Sequence, residues 1–281
     1  FSKEFKNFLY FPKKNIYAIH RNSKINFNKY LNVFKRNNFK FKILPKEKFN
    51  LYFAKPNEIE GAIVVNEAVI KLEKLYKYIK SKLKSVDIFK NTEIYKIDTD
   101  KKIISYKNKK KQFDLIINTT FTNPNLGLKK KEYKIKYELA SMLHVKNFLS
   151  KDIALTVMDG NFGSVYPINQ NVLTLSSVKY NPFKKFKTIK NYSQFINKKS
   201  FLKKLNKHSF KILRDISKYI LVPKNIKLLK ITFAPKVKII KDLEDQRLSL
   251  VVIEGNFVSV LCGKLDAAYL SWKKIRLKFF L

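Results

Sequence analysis

The stretch 155–167, LTVMDGNFGSVYP, decides how the middle of this chain folds. It places two of only six glycines, Gly160 and Gly163, within a segment whose apolar and aromatic residues otherwise favour a strand. Glycine inside a strand marks a turn, or a point where the backbone approaches another group closely. The stretch is therefore either an ordinary hairpin turn or a place where backbone passes something flat or bulky.

Residues on both sides of this stretch have the character of an antiparallel sheet. Runs rich in β-branched and aromatic residues alternate with turn residues, which predicts five strands: 133–144, 153–159, 162–166, 172–180 and 228–240. We expect a turn at 167–171 between the third strand and the fourth. Between the last two strands, 200–220 has apolar residues at helical spacing and is predicted to be an amphipathic helix.

The flanking parts of the chain have a mixed pattern. The segment 66–83 predicts a helix with Asn66 as its N-cap, and 113–118 predicts a buried parallel strand because its apolar run is continuous. The other elements expected are a strand at 86–89, a hairpin of 92–98 with 102–106, a strand pair of 249–253 with 257–260, and a closing helix. This order predicts an α/β (α+β) fold in which an antiparallel sheet is inserted into an α/β unit.

The charge of the chain has two explanations. The 281 residues carry 60 Lys and Arg against 21 Asp and Glu, a formal net charge of +39, which is typical of proteins that bind polyanions. However, only five of the basic residues are arginine, the side chain that makes bidentate contacts to bases and phosphate. We expect no specific nucleic-acid partner, and a basic nucleic-acid-binding protein stays as an alternative function.

Cysteine and histidine usage excludes several kinds of site. Cys262 is the single cysteine, so neither an intrachain disulfide nor a cysteine zinc site can form. The three histidines are isolated and lack metal-ligand spacing, so we expect no metal. No apolar run reaches the roughly 18 residues that a membrane helix needs. We expect a cytoplasmic protein without a membrane span, and the sequence leaves its oligomeric state open.

Four stretches of the chain resemble one enzyme family when they are taken in order. They are FDLIINTTFTNPN (113–125), LTVMDGNFGSVYP with the following residues to Phe183, DLEDQRLSLV (242–251) and VLCGKLDAAY (260–269). The ordered set resembles the FAD-dependent oxidoreductases of the D-amino-acid-oxidase-like superfamily. The resemblance implies a two-domain flavoprotein that binds FAD and oxidises a C–N or C–O bond of a small polar metabolite by hydride transfer to the flavin.

The sequence departs from this family at one point. The family begins with a strand, a G-x-G-x-x-G turn and a helix that hold the FAD pyrophosphate, and no G-x-G occurs in these residues. The resemblance therefore implies that the chain is N-terminally truncated and inactive by itself. It also implies four parts: a remnant at 1–60, FAD-binding parts at 61–127 and 241–281, and a substrate domain at 128–240. A non-catalytic relative of the fold is a further alternative.

The resemblance also implies which residues bind the cofactor. Thr119 and Thr120 follow the predicted parallel strand, where hydroxyl and N–H groups would meet phosphate or ribose, and Ile94 matches the apolar position beside the adenine. Gly263, Lys264, Leu265 and Asp266 precede the closing helix and would face the flavin N1/C2=O edge, with Arg247 in support. Ordinary turn and core roles remain open for each of these residues.

The opening stretch falls, by the same resemblance, on a wall of the substrate pocket. A bend at the two glycines would bring Phe162, Ser164 and Tyr166 toward the pocket, and the sequence order adds His144 and Tyr180. The alternative is a hairpin whose aromatic residues pack in the core. No catalytic triad or carboxylate pair is recognisable, so the catalytic residues stay unknown.

Overall fold

The structure is a computed structural model that describes residues 5–130, 133–149, 152–240, 249–265 and 267–280. Its helices are α1 (Phe27–Arg36), α2 (Leu72–Lys82), α3 (Ile189–Ile196), α4 (Phe201–Ile216) and α5 (Ala268–Phe279). Its strands are β1 (Leu9–Tyr10), β2 (Lys14–His20), β3 (Phe41–Ile43), β4 (Ile59–Val65), β5 (Val69–Ile70), β6 (Ile94–Asp98), β7 (Ile103–Tyr106), β8 (Lys109–Gln112), β9 (Ile116–Asn118), β10 (Ile135–Lys146), β11 (Ile153–Met158), β12 (Gly163–Asn169), β13 (Val172–Ser177), β14 (Pro182–Phe186), β15 (Leu228–Ile239), β16 (Ser249–Glu254) and β17 (Phe257–Cys262).

A nine-stranded sheet forms the largest part of the fold. Its strand order is β14-β10-β13-β12-β11-β2-β4-β3, and β15 pairs with β10. The expected antiparallel sheet is present, but it is mixed rather than purely antiparallel, because β2 inserts parallel to β11. Residues 14–65 thus supply three strands of the same sheet that 135–239 build.

The two faces of this sheet differ because side chains alternate along each strand. One face carries apolar residues such as Ile16, Leu155 and Leu175, and α4 covers it with Ile212 and Ile216. Each of these side chains is essentially fully buried, and such burial stabilises a fold by about 2 kcal/mol per residue. The opposite face carries hydroxyl groups and is described below with the candidate site.

A three-stranded sheet in the order β16-β17-β9 forms the second layer. As predicted, β9 is a parallel strand, since it pairs with β17 in parallel register, but it begins only at Ile116. The strand was predicted to be buried on both faces. Ile116 is buried, but Ile117 on the other face is 39% exposed, so the prediction is wrong for Ile117. Helix α5 packs on this sheet through Ile275. Within the described ranges, the outer edge of β9 pairs with no other strand.

The third sheet, β6-β7-β8, confirms the hairpin that was predicted between 92 and 106. The sequence prediction missed its third strand because β8, with the sequence KKKQ, has no apolar alternation and is exposed along its whole length. The domain division itself stays a prediction. The nine-stranded sheet uses residues 14–65 and 135–239, and the β16-β17-β9 sheet uses 116–118 and 249–262.

Several predicted bounds are wrong, each for a physical reason. The helix predicted from Asn66 begins at Leu72, because Val69–Ile70 pairs with Leu9–Tyr10, and Lys71 is the residue before its first turn. Residues 86–89 form no strand, and all four are exposed. Helices α1 and α3, which begin after side-chain caps from Asn26 and Thr188, were not predicted.

Gly160 and Gly163 lie where the backbone packs tightly against other parts of the protein. At Gly163 an added Cβ would overlap the carbonyl oxygen of Ser176 and lie 2.7 Å from Cδ1 of Ile216, because β12 passes directly against β13 and α4. Next to Gly160, the ring of Phe162 fills the space that a side chain would need. The turn between β11 and β12 therefore marks a close approach of backbone to the protein's own core.

None of the helices in the described part of the chain combines the length and the apolar character that crossing a membrane requires.

Candidate functional site

Hydroxyl groups from neighbouring strands line the face of the nine-stranded sheet that α4 does not cover. Residues directly opposite in a sheet point to the same side. The pairing places Thr156 opposite both Tyr17 and Ser164, and Ser164 opposite Ser176. We call this surface the hydroxyl face; its residues are Tyr17, His144, Thr156, Ser164, Tyr166, Thr174, Ser176 and Thr232.

Two tyrosines form a hydrogen-bonded cluster on this face. The hydroxyl of Tyr17 donates to the Glu67 carboxylate and lies 3.3 Å from the hydroxyl of Tyr166. Burial raises the pKa of Tyr17 far above its ordinary value, and Tyr166 and Glu67 raise it further. The pKa of Tyr30 is raised by burial and then by the charges of Glu67 and Tyr166, so the cluster also acts electrostatically on Tyr30. Tyr17 therefore stays protonated and remains a hydrogen-bond donor.

His144 lies on the same face, at the level of Tyr166 and Thr174. Its ring is buried, and Nε2 is 3.0 Å from Oγ1 of Thr232. Thr174 donates its hydroxyl to the Tyr166 carbonyl at 3.1 Å, which joins β12 and β13 at this level. Burial, and then Lys230, lower the pKa of His144. The ring is therefore neutral at neutral pH.

Lowering the pH from 7 to 5 should destabilise the protein through His144. Its folded-state pKa lies below the ordinary 6.5, so the unfolded chain takes up this proton first. The stabilising contribution is full above about pH 6.5 and is lost as the pH falls toward the folded pKa. His144→Gln should flatten the acid side of the stability profile, measured by urea unfolding at pH 7, 6 and 5. A profile as steep as that of the wild type would contradict this expectation.

A cavity opens where the parallel strands β9 and β17 end. Ligands of α/β sheets typically bind outside the carboxyl ends of such strands. The cavity measures about 360 Å³ and is open to solvent; its lining residues are Ile117, Thr119, Phe121, Val260, Cys262, Ala268, Ser271, Trp272 and Ile275. The exposed residues Gly263, Lys264 and Leu265 connect β17 to α5 beside it. Thr119 and the segment from Cys262 thus meet at one edge of the sheet.

The loop behind this cavity is held by Asn118, which is buried. Its Nδ2 donates to the carbonyls of Asn123 and Leu126, both at 3.0 Å, and its Oδ1 accepts from the amide and the hydroxyl of Thr120. Thr119 is exposed toward the cavity, whereas the Thr120 hydroxyl is used inside the loop. Phe121 has a φ of 53°, a left-handed conformation that residues other than glycine rarely adopt. Asn118 therefore shapes the loop that presents Thr119.

Asn118→Ala should lower the free energy of unfolding by about 2 kcal/mol, because the carbonyls and the Thr120 amide lose their buried partners. It should also raise hydrogen exchange in residues 119–128, since the loop is no longer tied to β9. Urea unfolding and exchange mass spectrometry measure the two effects. Asn123→Ala is the matched control, because the side chain of Asn123 is exposed and only its carbonyl takes part. Equal stability of the two variants would refute the assigned role.

The helix after the cavity differs in one respect from the expectation for Gly263 to Leu265. By the resemblance, the N–H groups at the start of this helix would face the flavin. The amides of Ala267, the residue before α5, and of Ala268, its first residue, instead donate to the carbonyls of Lys264 and Leu265, at 3.3 and 3.2 Å. The two remaining cofactor candidates, Arg247 and Asp266, lie outside the described residues.

Other predicted site residues lie elsewhere. Ile94 lines a separate cavity of about 170 Å³ in the β6-β7-β8 sheet, together with Phe89 and Phe113. Phe162 packs in the apolar core against His20 and Tyr219, so the core alternative holds for this aromatic residue. Tyr180 packs against the same core, and its carbonyl receives a hydrogen bond from His208. The structure thus brings Ser164, Tyr166 and His144 onto one face and separates Phe162 and Tyr180 from them.

Tyr17 of the hydroxyl face and its hydrogen-bond partner Glu67 were not among the predicted site residues, and neither were Thr156, Thr174, Ser176 and Thr232. Tyr17 and Glu67 lie 149 and 99 residues before Tyr166, and no spacing motif connects them to it. The one sequence signal is the alternation of β2, which puts Tyr17 on the face opposite to Ile16 and Ala18. Only the parallel pairing of β2 with β11 shows that Tyr17 lies close to Tyr166.

No protein-family model and no curated protein matches this sequence. Solved structures match over nearly the whole chain. The L-proline dehydrogenase from P. horikoshii is 12% identical, with 99% of this chain and 75% of that chain covered and a TM-score of 0.61. The glycine oxidase from Geobacillus kaustophilus is 10% identical, with 96% and 72% covered and a TM-score of 0.66. The L-α-glycerophosphate oxidase from Mycoplasma pneumoniae, solved with FAD bound, is 16% identical, with 97% and 75% covered and a TM-score of 0.61. The chain therefore has the fold that these oxidases and dehydrogenases share, which the order of its motifs predicted.

Proposed function

We propose that this chain forms most of an FAD-dependent oxidoreductase that oxidises a C–N or C–O bond of a small polar metabolite. The observation that carries the proposal is the match in fold, over 94–99% of the chain, to solved structures that include amino-acid oxidases and an FAD-bound glycerophosphate oxidase. Two features of the chain support it independently of that likeness. They are the open cavity at the carboxyl ends of β9 and β17 and the hydroxyl face of the large sheet.

The residues at the cavity fit a dinucleotide in their chemistry. Thr119 offers an exposed hydroxyl, and the backbone of Gly263 to Leu265 lies open beside apolar walls formed by Phe121 and Trp272. A dinucleotide needs such a combination of polar groups for ribose and phosphate and flat apolar surface for its rings. Thr119, Gly263, Lys264 and Leu265 would hold the FAD, and Arg247 and Asp266 remain proposed partners. When bound, FAD supplies the acceptor for the substrate hydride.

The hydroxyl face would orient the substrate. Tyr17 stays protonated and donates its hydroxyl hydrogen to Glu67, which leaves its oxygen to accept, and Tyr166 is partly exposed on the same face. Thr174 lies between Tyr166 and His144, and Ser164 and Ser176 add small hydroxyls at the next level along the same two strands. These groups bind polar atoms of a substrate and hold it in a fixed orientation, which is the protein's part in hydride transfer to a cofactor.

The test is the gene product purified with every residue that its reading frame encodes. We expect a yellow protein with flavin absorbance bands and about one FAD per chain, whose colour bleaches when an oxidisable substrate is added without oxygen. A colourless, well-folded product that ignores added FAD would refute the proposal. A yellow product that no amine or alcohol bleaches would favour a non-catalytic relative of the fold.

A further inference from the structure

Helix α4 has two sides of opposite character. Its buried side packs on the large sheet with residues at helical spacing, Leu205, Ser209, Ile212 and Ile216. The side about 200° away around the helix follows the same spacing two residues earlier and is exposed to solvent. We call this side the basic face; it comprises Lys203, Lys207, Phe210 and Arg214, with Lys204 and Lys211 on one border and Leu202 on the other.

Acidic residues are missing from the part of the chain that contains this helix. Residues 161–240 hold 18 Lys and Arg but a single acidic residue, Asp215, and the rest of the chain holds the other 20 Asp and Glu. Basic residues are about as frequent here as elsewhere, so a general lysine bias does not explain the difference. Asp215 is itself 2% exposed, and its carboxylate accepts the Ser177 hydroxyl at 2.7 Å. Helix α4 therefore presents no carboxylate to solvent.

The side chains of the basic face are not used by the fold. Within the described ranges, its lysines and Arg214 form no ion pair and lie over no aromatic ring. Phe210 is 61% exposed and Leu202 is 63% exposed, and neither packs into one of the core clusters described for this chain. An exposed aromatic ring thus lies in the middle of a row of unpaired cations.

We propose that the basic face binds the surface of an anionic lipid bilayer, with Phe210 and Leu202 entering the headgroup region. Clusters of about four to eight Lys and Arg on an amphipathic helix are typical of sites for acidic phospholipids. Lysine attracts a headgroup as a point charge, whereas specific contacts to nucleic acid favour arginine, and the basic face has a single arginine. An apolar ring among the cations adds binding by inserting at the acyl boundary.

The position of α4 makes this surface compatible with the rest of the molecule. The helix covers one face of the large sheet, and the hydroxyl face lies on the other side. A bilayer bound to α4 would therefore leave the hydroxyl face accessible. The inference does not depend on the proposed function, because it concerns a surface that takes no part in the candidate site.

Co-sedimentation of the full gene product with lipid vesicles tests the choice of partner. The vesicles consist of phosphatidylcholine alone or of phosphatidylcholine with about 30% phosphatidylserine, which supplies the negative surface charge. At about 100 mM salt we expect at least tenfold stronger binding to the vesicles with phosphatidylserine. Raising the salt to about 500 mM should remove most of this preference, since screening weakens the attraction.

Two double variants locate the binding surface, because a chain with a net charge of +39 is attracted to an anionic surface from every side. Lys203→Gln with Lys207→Gln should weaken binding about 20-fold, since each lysine at such a surface contributes a factor of about five. Lys74→Gln with Lys77→Gln removes the same charge from exposed positions of α2 and should weaken binding by less than about threefold. Circular dichroism and thermal unfolding check that both proteins are folded.

A third variant reports on insertion of the ring. In Phe210→Trp, vesicles with phosphatidylserine should shift the tryptophan emission to shorter wavelength, and lipids brominated on their acyl chains should quench it. The wild-type spectrum corrects for Trp272, the single native tryptophan.

Three results would overturn the inference. The first is an equal loss of vesicle binding in the two double variants, and the second is an emission of Phe210→Trp that vesicles leave unchanged. The third is a variant without Lys203 and Lys207 that still binds vesicles like the wild type but no longer binds duplex DNA, which would assign the basic face to nucleic acid.

Discussion

Gly163→Ala should lower the free energy of unfolding by about 3 kcal/mol, at the upper end of the range for overpacked positions. The added methyl group meets the Ser176 carbonyl, which belongs to backbone in a paired strand, and Cδ1 of Ile216 in α4. Neither neighbour can move freely, because β12 and β13 form a continuous ladder here and Ile216 is buried in the core. Urea unfolding measures the loss, and we expect the variant to accumulate in inclusion bodies at 37 °C.

The matched control for this substitution is Gly255→Asn. Gly255 has a φ of +59° in the turn between β16 and β17, where a Cβ would meet nothing within 4 Å. Asparagine tolerates this conformation better than most residues, so the control should lose less than about 1 kcal/mol. If Gly163→Ala were as stable as Gly255→Asn, the close approach of β12 to β13 and α4 would be wrong.

Residues 1–281 produced alone should bind FAD weakly and associate with themselves. The chain contains no G-x-G turn for the pyrophosphate, so we expect about 100 µM FAD to raise the melting temperature by less than about 2 °C. The outer edge of β9 is unpaired in the part of the chain that the structure describes, and unpaired edges recruit other strands. Exposed apolar residues of α2, such as Leu72 and Tyr76, add surface for association.

Salt distinguishes this association from unfolding. The net charge of +39 keeps chains apart at low ionic strength, and screening removes that repulsion. Light scattering should therefore show larger species at 500 mM than at 50 mM salt, while β10 to β13 remain the best protected region in hydrogen exchange. A monomer that binds FAD tightly and stoichiometrically would contradict this prediction and the claim that the dinucleotide turn is absent.

Local patterns predicted those elements whose partners lie nearby in the sequence. The hairpin β6–β7 and the pair β16–β17 were correct because alternation and turn residues specify them within a few residues. The start of α2 was wrong because Val69–Ile70 pairs with Leu9–Tyr10, and a distant pairing overrides local helix propensity. The insertion of β2 beside β11 has no local signal at all.

The candidate site divides in the same way. Thr119 and Gly263 were each predicted to bind the cofactor, and the parallel pairing of β9 with β17 brings Thr119 and Cys262, the residue before Gly263, to one cavity. Phe162 was misplaced because it precedes β12, whose alternation begins only at Gly163. Tyr17 reaches Tyr166 only through strand pairing between residues 149 positions apart, and Glu67 joins them through Tyr17; neither composition nor spacing encodes this.

The parallel pairing of β2 with β11 has a consequence for synthesis on the ribosome. Lys14 pairs with Ile153, about 140 residues later, so β2 emerges long before its central neighbour. At elongation rates of about 5–20 residues per second, roughly 7–28 s pass before β11 is available. During this time β2 can pair only with β4. Its apolar residues Ile16 and Ala18 stay uncovered until the later strands and α4 have been synthesised. Overproduction in a host with slow elongation should therefore increase the chain's dependence on chaperones that shield nascent strands.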